Sequence, residues 1–216
     1  MNHLNEKIFQ LRQDFMKGVL SEKDITPDPS ELFALWLQQA VAAQIEEFQA
    51  MGLSTVSVDG KPSSRIVYLR EFDNNQFCFY TNYHSRKAEE IENNSHAGIL
   101  FFWKELERQI RIEGVLEKAP TAQSDAYFDA RPYESKVGAW ASHQSHILSS
   151  RTELEKRMEE LKKQHPPETI KRPEFWGGYI LKANYYEFWQ GRKSRLHDRI
   201  SFERNETGWN TCRLSP

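Results

Sequence analysis

Apolar residues recur every three or four positions at the start of the chain and every second position after it, and the switch falls at Gly52. Ile8, Leu11, Phe15 and Val19 lie on one stripe, so the spacing predicts a helix over 6–20. Asp24 to Pro29 reads as a loop. Asp28-Pro29-Ser30-Glu31 then opens a second helix, with Asp28 as N-cap, Pro29 at the first position and Glu31 reaching back. That helix is expected to run to about Gln49 with Leu32, Leu35, Trp36, Ala40 and Ala43 inward.

From Gly52 the pattern is that of strands. Leu53 to Val58 alternates, Asp59-Gly60 is a hairpin turn, and Ser63 to Phe72 reads as one long second strand. Asp73-Asn74-Asn75 turns again into a strand over Gln76 to Thr81. Ser85 stands as N-cap of a short helix. His96 to Trp103 and Glu107 to Glu117 form a strand pair around Lys104-Glu105-Leu106. Helical spacing returns at 121–130, 134–141 and 150–164, the last with Leu154, Met158 and Leu161 on one side. Trp176 to Trp189 is strand-like, and Arg199 to Glu203 and Trp209 to Leu214 make a final hairpin. Hairpin-linked strands at this spacing favour a closed or nearly closed antiparallel barrel with flanking helices, a mainly β, α+β architecture.

At 216 residues the chain is expected to be one domain, 1–216, with a helical N-terminal segment of about 50 residues. Its 28% charged and 38% hydrophobic residues suit a globular protein. A net charge of -2 removes any bulk attraction to nucleic acid or to an anionic membrane, so anion chemistry must come from local clusters. Cys78 and Cys212 are isolated, which excludes a CxxC motif and suggests buried thiols in a reducing compartment. The first residues lack the apolar core of a signal peptide, and no apolar run is long enough to span a bilayer. A cytoplasmic location is the expectation.

The densest candidate chemistry lies at 188–199, where Trp189 accompanies Arg192, Lys193, Arg195, His197 and Arg199. Such a run is ordinarily a solvated basic loop. It also has the parts of an anion site with a flat wall, since arginine matches phosphate or carboxylate and histidine titrates near neutrality. Arg65 and Arg70 share a stretch of strand, but their odd spacing should send them to opposite faces unless a bulge intervenes. Arg86-Lys87 joins two cations to a helix start, where free N–H groups favour a phosphate. Gln109 could pair with a heterocycle edge. Tyr127, Arg131 and Ser135 straddle a helix end as three donors to a second phosphate or as ordinary surface groups. None of the 10 glycines makes a GxG pair, and no HExxH, GxSxG or metal-ligand spacing is found. A phosphorylated ligand would be held by side chains on strands.

The chain resembles the pyridoxamine 5′-phosphate oxidase family from about Leu11 to Pro216. The resemblance is carried by Arg65-Ile66-Val67, Phe79-Tyr80-Thr81-Asn82, Ser85-Arg86-Lys87-Ala88, Ile91-Glu92-Asn93-Asn94, Leu106-Glu107-Arg108-Gln109, Gly138-Ala139-Trp140, Phe175-Trp176-Gly177-Gly178, Glu187-Phe188-Trp189-Gln190-Gly191 and Arg195-Leu196-His197-Asp198-Arg199, in this order. It implies an FMN-binding split β-barrel of antiparallel Greek-key type, working as a homodimer with two flavin sites at the subunit interface. The implied reaction oxidises pyridoxamine or pyridoxine 5′-phosphate to pyridoxal 5′-phosphate, with O2 as acceptor and H2O2 as product.

On this resemblance the flavin contacts fall on Arg65, Ile66, Val67, Tyr68, Leu69, Arg70, Tyr80, Thr81, Arg86, Lys87, Gln109, Gln144, Ser145, Trp189 and Arg199. The substrate contacts fall on Arg70, Tyr127, Arg131, Ser135, Arg195 and His197. Arg195 and His197 would orient the substrate ring and act on charge at the reacting carbon, with neither assigned as an obligatory base. Two positions depart from the family: Arg70 replaces the usual lysine, and Phe15 stands where tyrosine is common in a segment covering the site, with Arg12 a nearby lid contact. Two other classes remain in view. A different split-barrel flavoprotein, such as a flavin reductase or FMN-binding module, would need the first cationic cluster but not Tyr127, Arg131, Ser135 and Arg195-Leu196-His197. A single-stranded nucleic-acid binder would use the basic run and the aromatics, against a near-neutral net charge.

Overall fold

The computed structural model describes residues 3–10 and 14–216. Its elements in chain order are α1 (His3–Gln10), α2 (Pro29–Ala42), β1 (Ala50–Val56), β2 (Pro62–Tyr68), β3 (Glu71–Asp73), β4 (Gln76–Asn82) and α3 (Arg86–Asn93). They continue as β5 (His96–Trp103), β6 (Arg108–Lys118), α4 (Thr121–Asp129), α5 (Tyr133–Ala141), α6 (Arg151–Gln164), β7 (Trp176–Gln190), β8 (Asp198–Arg204) and β9 (Trp209–Arg213). Among the described residues no helix is long and apolar enough to cross a membrane.

The chain divides into two compact units. The larger comprises Gln49–Ile99 and Glu113–Asn184, the smaller Met1–Phe48, Leu100–Ile112 and Tyr185–Pro216. Among the described residues the nine strands form one sheet in the order β2-β1-β5-β6-β7-β4-β3, an open antiparallel path, with β8 and β9 off it. Its turns are those the sequence announces. Gly60 takes φ +76 between β1 and β2, which only glycine adopts freely, and Asn74 and Asn75 are both left-handed between β3 and β4. β1 pairs with β2 from Ala50↔Tyr68 to Val56↔Pro62, and β4 pairs with β7 from Gln76↔Lys182 to Asn82↔Trp176. At Gly114 a Cβ would stand 2.1 Å from the carbonyl oxygen of Lys182, so the close approach of β6 and β7 requires glycine there. Met51, Leu53, Phe77, Phe79, Ile99, Leu116, Phe128 and Leu181 fill the larger unit's core.

The smaller unit carries much of the aromatic content. β8 pairs with β7 and with β9, and α2 contributes Phe33 and Trp36. Phe188 is fully buried, 5.3 Å from the ring of Trp36, 5.9 Å from Tyr186 and 5.7 Å from Phe202. Arg108 lies 4.3 Å over the same indole, that of Trp36, where its positive charge meets the negative π-face.

Four expectations are corrected. The first helix is described over His3–Gln10, and the described residues from Asp14 to Ser21 are not helical. The backbone N–H groups of Met16 and Lys17 donate to the Glu107 carboxylate at 2.7 and 2.9 Å, and that of Leu20 donates to Asp198 at 3.1 Å, so donors a helix would use internally go elsewhere. Leu11 and Arg12 lie outside the described residues. The second helix has its Asp28 cap, accepting from Ser30 N–H at 2.8 Å, but stops at Ala42 because Gln44 and Glu47 turn left-handed, and Leu35 and Ala43 face outward. The long second strand breaks at Leu69-Arg70 into β2 and β3. Cys78 is buried as expected, but Cys212 is exposed.

Phe188→Ala should destabilise the protein by about 3–5 kcal/mol, the usual cost of emptying a buried aromatic site. Leu35→Ala, at a position 46% exposed, should cost under about 1 kcal/mol. Denaturant unfolding of both variants checks this, and comparable losses would contradict the placement of the core.

Candidate functional site

A cavity of about 810 Å³ opens in the larger unit. Its wall gathers Arg65, Ile66, Val67, Tyr68 and Arg70 from β2 and the break after it, and Tyr80, Thr81 and Asn82 from β4. Arg86 and Lys87 come from the first turn of α3, and Tyr127, Arg131 and Ser135 from the α4–α5 corner. Gln144 and Ser145 follow α5, and Trp176 begins β7. Five of these side chains are cationic and none is a carboxylate. The wall thus attracts anions even though the whole chain is nearly neutral.

The break at Leu69-Arg70 explains how Arg65 and Arg70 reach one cavity despite odd spacing. The strand ends at Tyr68, so strict alternation stops before Arg70, whose N–H donates to the carbonyl of Cys78 at 2.9 Å. The Arg70 guanidinium rests 5.2 Å over the Tyr68 ring. Leu69 is buried and absent from the wall.

Lys87 is almost wholly buried, and its ammonium donates to Thr81 Oγ1 at 3.1 Å, Ser85 Oγ at 3.2 Å and Gln144 Oε1 at 3.1 Å. All three acceptors are neutral. Burial and the nearby Arg65 charge therefore push the ammonium down to about 8. Ser85 occupies the N-cap position, but its hydroxyl accepts from the Lys87 ammonium and makes no capping bond to a backbone N–H of the helix. The start of α3 keeps its anion-attracting character without a capping side chain.

At the α4–α5 corner the Tyr127 ring stacks on Tyr80 at 3.8 Å, and Trp176 lies parallel, 5.6 Å from Tyr80. Arg131 sits 4.6 Å over Trp176. Its Nη1 is buried and has no hydrogen-bond partner among the described residues, a donor without an acceptor. Burial pushes this guanidinium below the ordinary arginine range, Tyr127 opposes that, and Arg70 adds to it.

The remaining predicted residues belong to the smaller unit. Trp189 on β7 faces Arg199 on β8 in register. Arg199 donates through Nε to buried Glu187 at 2.9 Å, and Glu187 also receives Arg111 at 3.0 Å. The His197 ring lies 4.6 Å from Trp189 and 5.5 Å from Phe15. Its Nδ1 accepts the Arg192 N–H at 3.1 Å, which leaves the ring proton of the neutral form on Nε2. Burial and the Arg195 charge lower its proton affinity, with Asp198 opposing. Arg195 is exposed and left-handed, as is Ser194 before it. Gln109 is half-buried on β6. The cavity wall does not include Gln109, Trp189, Arg195, His197 or Arg199.

Sequence reasoning missed Glu90, Asn82 and Trp176. Glu90 shows itself only as the partner of Arg86 at i,i+4 spacing, a pattern common on exposed helices. Trp176 lies inside a quoted motif, but nothing in its spacing distinguishes a wall residue from a core one.

Comparison with known proteins gives a consistent result. Residues 37–165 match the family model described as pyridoxamine 5′-phosphate oxidase, and residues 176–216 match the pyridoxine 5′-phosphate oxidase C-terminal dimerisation region. A pyridoxine/pyridoxamine 5′-phosphate oxidase from Bordetella pertussis is 50% identical over 213 residues, covering 97% of this chain and 99% of that protein. The protein of the same name from Cytophaga hutchinsonii is 46% identical over 215 residues, covering 99% and 100%. Among solved structures, PhzG from Burkholderia lata in complex with tetrahydrophenazine-1-carboxylic acid superposes with a TM-score of 0.86 at 31% identity, over 92% of this chain and 98% of that one. A pyridoxamine 5′-phosphate oxidase-related, FMN-binding protein from Nostoc punctiforme shares the fold at a TM-score of 0.69 and 18% identity, over 87% and 97%.

An anion at the Lys87 cluster favours the charged ammonium, so binding above about pH 8 must take up a proton. Affinity for a phosphate monoester, a dianion above its own pKa of about 6, should be nearly flat between about pH 7 and 8 and should weaken as pH rises through 8, by at most about tenfold per unit. Lys87→Met should remove the slope. Calorimetric titrations at pH 7 and 9 measure it, and equal affinities at both would show that Lys87 does not face the anion.

Proposed function

The chain belongs to the pyridoxamine 5′-phosphate oxidase family, and from that footing we propose that it uses FMN to oxidise pyridoxamine or pyridoxine 5′-phosphate to pyridoxal 5′-phosphate, reducing O2 to H2O2. The observation that carries the reading is a cavity wall with five cations, no carboxylate and one buried guanidinium nitrogen without a partner. Two ligands that each carry one phosphate, the cofactor and the substrate, suit that donor set. Bound FMN would supply the hydride acceptor and its reoxidation by O2.

The side chains divide the work. Arg65, Arg86 and Lys87 hold the cofactor phosphate, while Ile66, Val67, Tyr68, Tyr80, Thr81, Gln144 and Ser145 line the space around it. Arg131, with Tyr127, Ser135 and Arg70, holds the substrate phosphate at the end remote from the reacting carbon. The C-terminal dimerisation region makes the protein a homodimer. We place its active sites at the subunit interface, where Gln109, Trp189 and Arg199 add to the flavin site and Arg195 and His197 to the substrate site. Neutral His197, its proton on Nε2, offers a hydrogen bond to the substrate ring, and the Arg195 cation answers the charge that changes as hydride leaves. A flavin reductase or simple FMN-binding module would leave Tyr127, Arg131 and Ser135 without a ligand.

Steady-state kinetics on pyridoxine 5′-phosphate, following aldehyde formation at full flavin occupancy, tests these roles. Arg131→Met removes a contact that is alike in ground and transition states, so KM should rise more than kcat falls. Arg195→Met should lower kcat as well, and by more than the Arg131 change. Each effect should be about ten- to a hundredfold, the size of one lost charge-assisted contact. The reverse pattern, with KM alone responding to Arg195 and kcat alone to Arg131, would overturn the placement of the substrate.

A further inference from the structure

One carboxylate stands directly behind the cationic wall. Glu90 on α3 is 4% exposed and is not itself a wall residue. Its Oε1 accepts from Arg86 Nε at 2.9 Å. Its Oε2 accepts from Ser63 Oγ at 2.6 Å, from Arg65 Nη2 at 3.2 Å and from the Thr55 hydroxyl. Burial works to raise this carboxyl, but the four donors outweigh it and hold it down at about 2, so it is ionised at any working pH.

The consequence for the two arginines differs. Arg65 spends its terminal nitrogens on the protein: Nη1 donates to Leu53 O at 3.3 Å and Thr55 Oγ1 at 2.5 Å, and Nη2 donates to Glu90 and to the Ser63 hydroxyl. It is a fixed charge with only Nε–H left over. Arg86 is the converse. Its Nε is held by Glu90, while the side chain is 63% exposed and its terminal nitrogens are left for the cavity. A single carboxylate therefore bridges two like charges and turns the fork of one of them toward the ligand. Thr55 and Ser63 alone would anchor α3 to β1 and β2; they would not orient Arg86.

We propose that Glu90 is a positioning residue for the phosphate of the cofactor, acting through Arg86 and, more weakly, through Arg65. The inference rests on the FMN reading above and assigns Glu90 no contact with the ligand. Its mechanism is preorganisation: the cations are assembled and aimed before the anion arrives, so less ordering remains at binding. Glutamine at this position keeps the shape but not the pattern. The three donors on the Oε2 side require its carbonyl oxygen there, which turns its amide NH2 toward the Arg86 Nε–H, donor against donor, and releases that side chain.

The test is a double-mutant cycle on FMN affinity of the apoprotein, with riboflavin as the phosphate-free control. Arg86→Met should weaken FMN binding by about tenfold or more, the size of one charge-assisted contact. Glu90→Gln should weaken it by a similar factor and leave riboflavin affinity unchanged. The double variant should bind FMN within about twofold of Glu90→Gln alone, because Arg86 has already been released. If Arg86→Met changes nothing, the phosphate reading itself fails. If Arg86→Met weakens binding and Glu90→Gln adds an independent loss, strengthens FMN binding or weakens riboflavin equally, the positioning role is wrong while the phosphate reading stands.

Discussion

Like charges resist being gathered in a half-buried place, and the larger unit is arranged around that constraint. Desolvating a cation is unfavourable unless acceptors replace the lost water. Here the acceptors are deliberately scarce in charge. Lys87 is satisfied by two hydroxyls and an amide, and Arg65 by hydroxyls, a carbonyl and its share of Glu90. Had carboxylates lined the wall, the cluster would be neutralised before any ligand came. With one carboxylate set behind the wall, the cations are held together and most of their charge remains uncompensated toward the cavity. The strand break that brings Arg70 to the same wall and the helix start that presents Arg86 and Lys87 both serve this arrangement.

The smaller unit solves a different problem, the placing of flat rings. Its aromatic core fixes β7 through Phe188, and the next residue, Trp189, carries its indole to the His197 ring. His197 is turned by the Arg192 N–H, and Phe15 stands edge-on to both rings. Phe15 reaches that position because the chain before Leu20 is tied down by carboxylates. Glu107, itself left-handed at φ 54, takes the N–H groups of Met16 and Lys17, and Asp198 takes that of Leu20. The apolar contact of phenylalanine here packs against the same rings but offers them no hydroxyl.

Much of this was legible along the chain. Strand-by-strand alternation, the Asp59-Gly60 and Asn74-Asn75 turns and the Asp28 cap depend on neighbours in sequence, and the fold uses them as read. So do Arg86 and Lys87 at a helix start. What was not legible depends on partners far away. The stripe of Ile8, Leu11, Phe15 and Val19 looks helical, but Glu107 and Asp198 lie about 90 and 180 positions on and claim its later backbone donors. Glu90 looks like a surface helix residue until α3 packs on β1 and β2 and buries it against Thr55 and Ser63. Arg65 and Arg70 share a wall only because pairing stops between them, and nothing in the composition of Tyr68-Leu69-Arg70 announces a break.

The central claim is that the Arg65, Arg86 and Lys87 cluster exists for a phosphate. The most direct measurement is the affinity of the apoprotein for FMN against riboflavin, two ligands alike in ring and chain apart from the phosphate group. Each charge-assisted hydrogen bond contributes roughly 1.5–3 kcal/mol, so FMN should bind at least about a hundredfold more tightly, and the difference should shrink with added salt. Equal affinities for the two flavins would contradict the account.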